Sequence, residues 1–132
     1  MTGAVARSME KDGSFYSTYG WHPRSAELAI AAVRYLSKHK DRLLRNAARL
    51  SDYFGDRLSQ MPFKQRATIR VKGLAIGIDL ADEDYASEVH GRCRRRGLLF
   101  SHEGDSTLLL LPALNMERSV AQEGLDIMAG CV

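Results

Sequence analysis

The side chains most able to do chemistry here are His22, His39, His90 and His102, the thiols Cys93 and Cys131, and five lysines. A run of arginines at Arg92, Arg94, Arg95 and Arg96 adds concentrated positive charge. Spacing decides what these residues can do. The histidines are scattered, with neither an HExxH nor a CxxC arrangement, so each reads as a surface or hydrogen-bonded histidine rather than a metal ligand. Two cysteines make no disulfide framework and point to a reducing, cytoplasmic setting. The GxSxG turn that presents a nucleophilic serine is absent. Gly73 and Gly77 match no phosphate-loop pattern; they read as points where a strand bends or another backbone comes close. Asp84 and Glu88 stand four apart on what should be the exposed face of a helix, which argues against an acid/base pair. The arginines fall in the last turns of that helix, where positive charge complements the macrodipole and stays solvated. A nucleic-acid-binding patch is the competing reading of that run. Judged by motif alone, the chain is not a self-contained enzyme.

Composition sets the frame for these residues. With 132 residues, 45% hydrophobic and 27% charged, the chain fits one globular domain of net charge +3. A domain of this size buries roughly two thirds of its unfolded surface, enough for a true core. It is too short for an enzyme that closes two full domains around a cofactor. No apolar run approaches the ~18 residues of a membrane span, and residues 1–14 lack the apolar middle of a secretory signal.

The elements that would position the reactive residues follow from periodicity. Residues 1–22 carry no sustained period and read as a loop or extended arm. Pro23 suits the first position of a helix, whose stripe is Leu28, Ala31, Ala32, Tyr35 and Leu36. A second stripe of Leu43, Leu44, Ala47, Leu50, Phe54 and Leu58 predicts a helix over residues 40–59. So little separates the two that they form a bent pair or one kinked element. Strands are predicted over 68–72 and 74–80, the latter alternating Leu74, Ile76, Ile78 and Leu80 against smaller or polar residues. Asp82 is the expected N-cap of a helix buried through Tyr85, Ala86, Val89 and Cys93, with Gly97 just past its end. Strands over 98–100 and 107–111, a turn at residues 102–105, and a last helix over 116–129 capped by Asn115 complete the pattern. The last helix should bury Val120, Gly124, Ile127 and Met128. The order αα-ββ-α-ββ-α predicts an α+β fold, a small antiparallel sheet with helices on one face.

Four short segments in this order resemble the class III aminotransferases, the branch holding acetylornithine, ornithine, aminobutyrate and ω-amine transaminases. They are Thr18-Tyr19-Gly20-Trp21-His22-Pro23, Arg70-Val71-Lys72-Gly73-Leu74 running on to Gly77-Ile78-Asp79-Leu80, Cys93-Arg94-Arg95-Arg96-Gly97-Leu98-Leu99, and Leu110-Leu111-Pro112-Ala113-Leu114. Thr2-Gly3-Ala4-Val5 is similar to the family segment shortly after the lysine that forms a Schiff base with pyridoxal 5'-phosphate. The resemblance therefore implies the carboxy-terminal part of such an enzyme. Residues 1–22 would be an arm from the end of the large domain and residues 23–132 the small domain. None of Lys11, Lys38, Lys40, Lys64 or Lys72 matches the Schiff-base motif, and such a lysine needs a desolvated or charge-tuned site.

Several expectations follow from the resemblance. The intact enzyme would transfer amino groups with pyridoxal 5'-phosphate, whereas this chain alone would bind none and be inactive. Thr18 matches the family threonine that holds the cofactor phosphate of the neighbouring subunit, with Ser17 assisting; a short hydroxyl on a glycine-flanked arm suits that task. The partners implied are the missing large domain or a partner subunit, in a homo-oligomer. Leu109 stands where amino-acid-selective members carry an arginine that clamps a carboxylate, and Trp21 replaces a small residue in the arm. The alternative from another class is a non-catalytic interaction or dimerisation module that keeps the small-domain fold.

Overall fold

The computed structural model describes residues 20, 22–104 and 106–132, and among them three helices and four strands. Their order is α1 (Pro23–Ser59), β1 (Ala67–Lys72), β2 (Ala75–Leu80), α2 (Glu83–Arg95), β3 (Ser101–Glu103), β4 (Thr107–Leu110) and α3 (Arg118–Ala129). Residues 39–132 form one compact unit, and the described residues up to 38 fall outside it. The first two helical stripes fuse into a single helix of 37 residues, because nothing between Ser37 and Lys40 breaks the backbone ladder. In the second unit that helix buries Leu43, Leu50, Phe54 and Leu58, but Leu44 is turned outward.

All strand pairs are antiparallel, in the order β1-β2-β4-β3. Gly73 (φ 61°) opens the two-residue turn joining β1 to β2, a left-handed position that glycine occupies without penalty. Ile76 and Ile78 of β2 and Leu108 of β4 are fully buried. They pack with Leu50, Phe54 and Leu58 of α1, Val89 and Cys93 of α2, and Leu125 and Met128 of α3 in one cluster. The α+β fold read from the sequence is the fold observed.

Helix α2 shows how local chemistry sets both ends of an element. The Asp82 carboxylate accepts the Tyr85 N–H at 2.7 Å, and Glu83 and Asp84 occupy the first turn. At the other end the Leu98 N–H donates to the Cys93 carbonyl and the Gly97 N–H to that of Arg94, with Gly97 at φ 89°. This is the Schellman pattern, and it satisfies carbonyls that the helix end would leave orphaned.

Three expectations are corrected. The strand expected over 98–100 begins at Ser101 instead, since Leu98 is committed to the helix cap and the Phe100 carbonyl meets His90 Nε2 at 3.1 Å. His102 and Glu103, expected in the turn, therefore lie in β3, and the turn opens at Gly104. Asn115 does not cap the last helix. The Met116 N–H turns back to the Ala113 carbonyl, Asn46 Nδ2 donates to the carbonyls of Leu114 and Met116, and the helix starts at Arg118 behind Glu117. Its buried face consequently carries Ala121, Leu125 and Met128, while Val120 is half exposed.

Candidate functional site

The sheet has an inner face, which carries the core, and an outer face. Register places Arg70, Gly77, Leu109 and Ser101 side by side in one outer row, and Thr68, Asp79, Thr107 and Glu103 in the next. Arg70 folds across Gly77: a Cβ there would lie 3.4 Å from the Arg70 Nη2. The guanidinium then bonds Asp79 Oδ1 at 2.7 Å, and Thr107 Oγ1 donates to the same oxygen at 2.9 Å. The arginine thus lies in contact over Gly77 on the outer face of the sheet. The sequence signal for this was present in its glycine, but the cross-strand register that makes it useful was not.

A groove of about 530 Å³ opens beside β4, between residues 98–101, residues 109–113 and α3. Its walls are Leu98, Phe100, Leu110, Met116, Leu125 and Met128, and Ser101 is the one side chain with a hydroxyl among its lining residues. Leu99 (76% exposed), Leu111 (66%) and Val120 (50%) stand at its edges. Leu109, at the position where the resemblance puts an arginine in amino-acid-selective members, lines it.

The arginine run divides in two. Arg92 bridges Glu88 at 2.5 Å and donates to the Cys131 carbonyl, and Arg96 donates to the Gly130 carbonyl at 3.1 Å. These two fasten the chain's last residues to the end of α2; Arg94, Arg95 and Arg96 are all exposed. Cys93 and Cys131 are both buried and free. Burial, then a hydrogen bond with Cys131, pushes the Cys93 thiol up from an ordinary 9.0 to about 12, against the pull of Arg96. It is therefore a protonated packing residue and a poor nucleophile. His90 and His102 approach with ring centroids 5.6 Å apart, but no metal-binding group of three exists among the described residues.

Thr18 and Ser17, the expected phosphate contacts, lie outside the described residues, as does Lys11. Lys38, Lys40, Lys64 and Lys72 are all exposed. None occupies the water-poor pocket that would hold an aldehyde as a Schiff base. The apolar groove offers no cation to a phosphate. The described residues by themselves thus do not fit pyridoxal 5'-phosphate. No described helix is long and apolar enough to cross a membrane.

Comparison with known proteins places this geometry. The family model described as aminotransferase class-III matches residues 2–132. The chain is 29% identical over 125 residues to the mitochondrial acetylornithine aminotransferase of Debaryomyces hansenii, covering 92% of this chain and 26% of that protein. It is 30% identical over 118 residues to the mitochondrial ornithine aminotransferase of Drosophila melanogaster, with 89% and 27% covered. Among solved structures, an Arthrobacter phospholyase in complex with phosphoethanolamine superposes with a TM-score of 0.77 at 23% identity, over 99% of this chain and 33% of that one. The ornithine aminotransferase of Toxoplasma gondii superposes at 0.68 and 21% identity, over 95% and 30%. The chain spans about a quarter to a third of the length of these relatives. Sequence and fold agree over nearly all of it: the chain belongs to the class III aminotransferase family.

Proposed function

We propose that this chain is the carboxy-terminal portion of a pyridoxal-phosphate-dependent transaminase, a scaffold for amino transfer that is inactive by itself. The observation that carries the reading is the family match over residues 2–132, on a chain only about a quarter as long as its relatives. Exposure of every described lysine supports the inactivity, since none is enclosed in a pocket that would hold an aldehyde against its amine. When bound, the cofactor of the intact enzyme supplies the electron sink, and protein groups bind and orient it. The task of residues 23–132 is positional: the sheet presents its outer rows, and residues 1–22 form the arm from the large domain. Thr18, with Ser17, donates to the cofactor phosphate, in a homo-oligomer completed by the large domain or a partner subunit. Two free cysteines accord with a reducing, cytoplasmic setting.

Incubation with pyridoxal 5'-phosphate and then borohydride tests the reading. The expected result is no stoichiometric adduct at any one lysine and no ketone formed from amino donors. A single trapped lysine together with measurable amino transfer would sink it. In an assembly that includes a large domain, Thr18→Val should weaken cofactor retention by about tenfold, the loss of one phosphate hydrogen bond. Leu109 makes an amine without a carboxylate the favoured substrate class, because the bidentate donor is missing at that point. Leu109→Arg in that assembly should raise the preference for amino acids; an unchanged preference counts against the assignment.

A further inference from the structure

Cys93 and Cys131 are distant in the chain and adjacent in the fold. Both are free and buried, and their thiols share a hydrogen bond inside the core cluster. The backbone on either side is held. Arg92 Nη1 donates to the Cys131 carbonyl at 3.2 Å. Arg96 Nη1 donates to the Gly130 carbonyl at 3.1 Å and lies 4.0 Å from Cys131 Sγ. The Cys131 N–H donates back to the Met128 carbonyl at 2.8 Å, which ties the same turn to α3. Cys93 is equally fixed: it lies in the last turns of α2, and its carbonyl accepts the Leu98 N–H of the helix cap. Two thiols anchored in this way no longer have the conformational freedom that opposes their pairing in an unfolded chain.

We propose that Cys93 and Cys131 form a site of reversible oxidation, at which a small-molecule disulfide converts the two thiols into a bond that staples residues 130–132 to the end of α2. The exchange balances in two steps. The Cys131 thiolate attacks one sulfur of the external disulfide, which breaks that S–S bond and releases a first thiolate. The Cys93 thiolate then attacks Cys131 Sγ, breaking the mixed disulfide and releasing a second. The two protons lost by the cysteines end on the two released thiols, and the electron pair has reduced the external disulfide. Cys131 is the point of entry. It lies just beyond the end of α3, in a turn gripped by the exposed Arg96, whereas Cys93 is reached only by opening α2. Burial makes both thiols slow to react, so the site follows the standing ratio of disulfide to thiol around it and ignores brief exposure. The cross-link closes a loop of roughly 40 residues, a restraint felt chiefly by the unfolded chain. The inference uses residues 39–132 alone and is independent of amino transfer.

The test is to equilibrate the full chain in mixtures of hydroxyethyl disulfide and mercaptoethanol, once in buffer and once in concentrated guanidinium. Mass spectrometry, after alkylation of the remaining thiols, counts the cross-linked fraction. The folded pair should close at a ratio about a hundredfold more reducing than the unfolded pair, because the fold has already brought the sulfurs together. The cross-linked chain should melt about 10 °C above the reduced chain and return to the lower value with dithiothreitol. Arg96→Gln, which releases the Gly130 carbonyl, should shrink the folded chain's advantage several-fold and leave the denatured value unchanged. Closure at the same ratio in both solvents overturns the proposal. So does a cross-linked chain that melts at or below the reduced one, or mercaptoethanol adducts that accumulate on the cysteines without closing. An undiminished advantage in Arg96→Gln overturns the part given to that arginine.

Discussion

At the scale of single residues, the pair Cys93 and Cys131 shows how position outweighs chemical type. A cysteine beside a run of arginines suggests an activated thiolate, yet burial dominates and holds the Cys93 proton to about pH 12. The thiol keeps its proton in the folded chain while the unfolded chain loses it near 9.0, so stability is fully present below pH 9 and declines from there toward 12. Melting temperature measured from pH 8 to 11 should fall, and Cys93→Ala should flatten that slope. Native chain at pH 8 should also resist iodoacetamide until it is denatured. Gly130 is the other telling residue. A Cβ there would collide with Arg96 Nη1, so Gly130→Ala should displace the guanidinium and cost about 1 kcal/mol, the worth of an exposed charge-assisted bond to the Gly130 carbonyl. A chemical denaturation midpoint equal to that of the unmodified chain would argue that this latch contributes nothing.

At the scale of elements, caps and stripes govern. Removing the Asp82 cap by Asp82→Ala should lower stability by about 1 kcal/mol, read as a shifted urea midpoint with unchanged slope. Helix α1 has an uneven hold along its length, because only its later turns are buried. Hydrogen exchange should therefore be slow around Leu50 and Phe54 and faster around Leu28, whose side chain is exposed. This element also marks how far a sequence can be read. Helix α2 was legible at both ends, because an N-cap aspartate and a C′ glycine act locally. The β1–β2 hairpin was legible too, through its alternation and Gly73. The start of β3 and the start of α3 were not. Each depends on a bond from a distant residue, His90 to Phe100 and Asn46 to Leu114 and Met116, and no local pattern reports it. The candidate site divides along the same line. The family motifs could be read from order and spacing, whereas the Arg70–Asp79–Thr107 cluster appeared only once register was known.

At the scale of the whole molecule, the described core contains no buried polar or charged side chain. Everything inside is Leu, Ile, Met, Val, Phe, Ala, Cys and one Tyr whose hydroxyl accepts the Lys64 N–H. Truncating one fully enclosed member, Leu58→Ala, should cost about 2–5 kcal/mol, measurable as a lower melting temperature. An interior held chiefly by water's exclusion also has a thermal signature. Such cohesion fades on cooling, while exclusion of sulfate from the surface reinforces it. In dilute guanidinium the chain should therefore melt twice, once on warming and once on chilling toward freezing, and ammonium sulfate should push the two transitions apart.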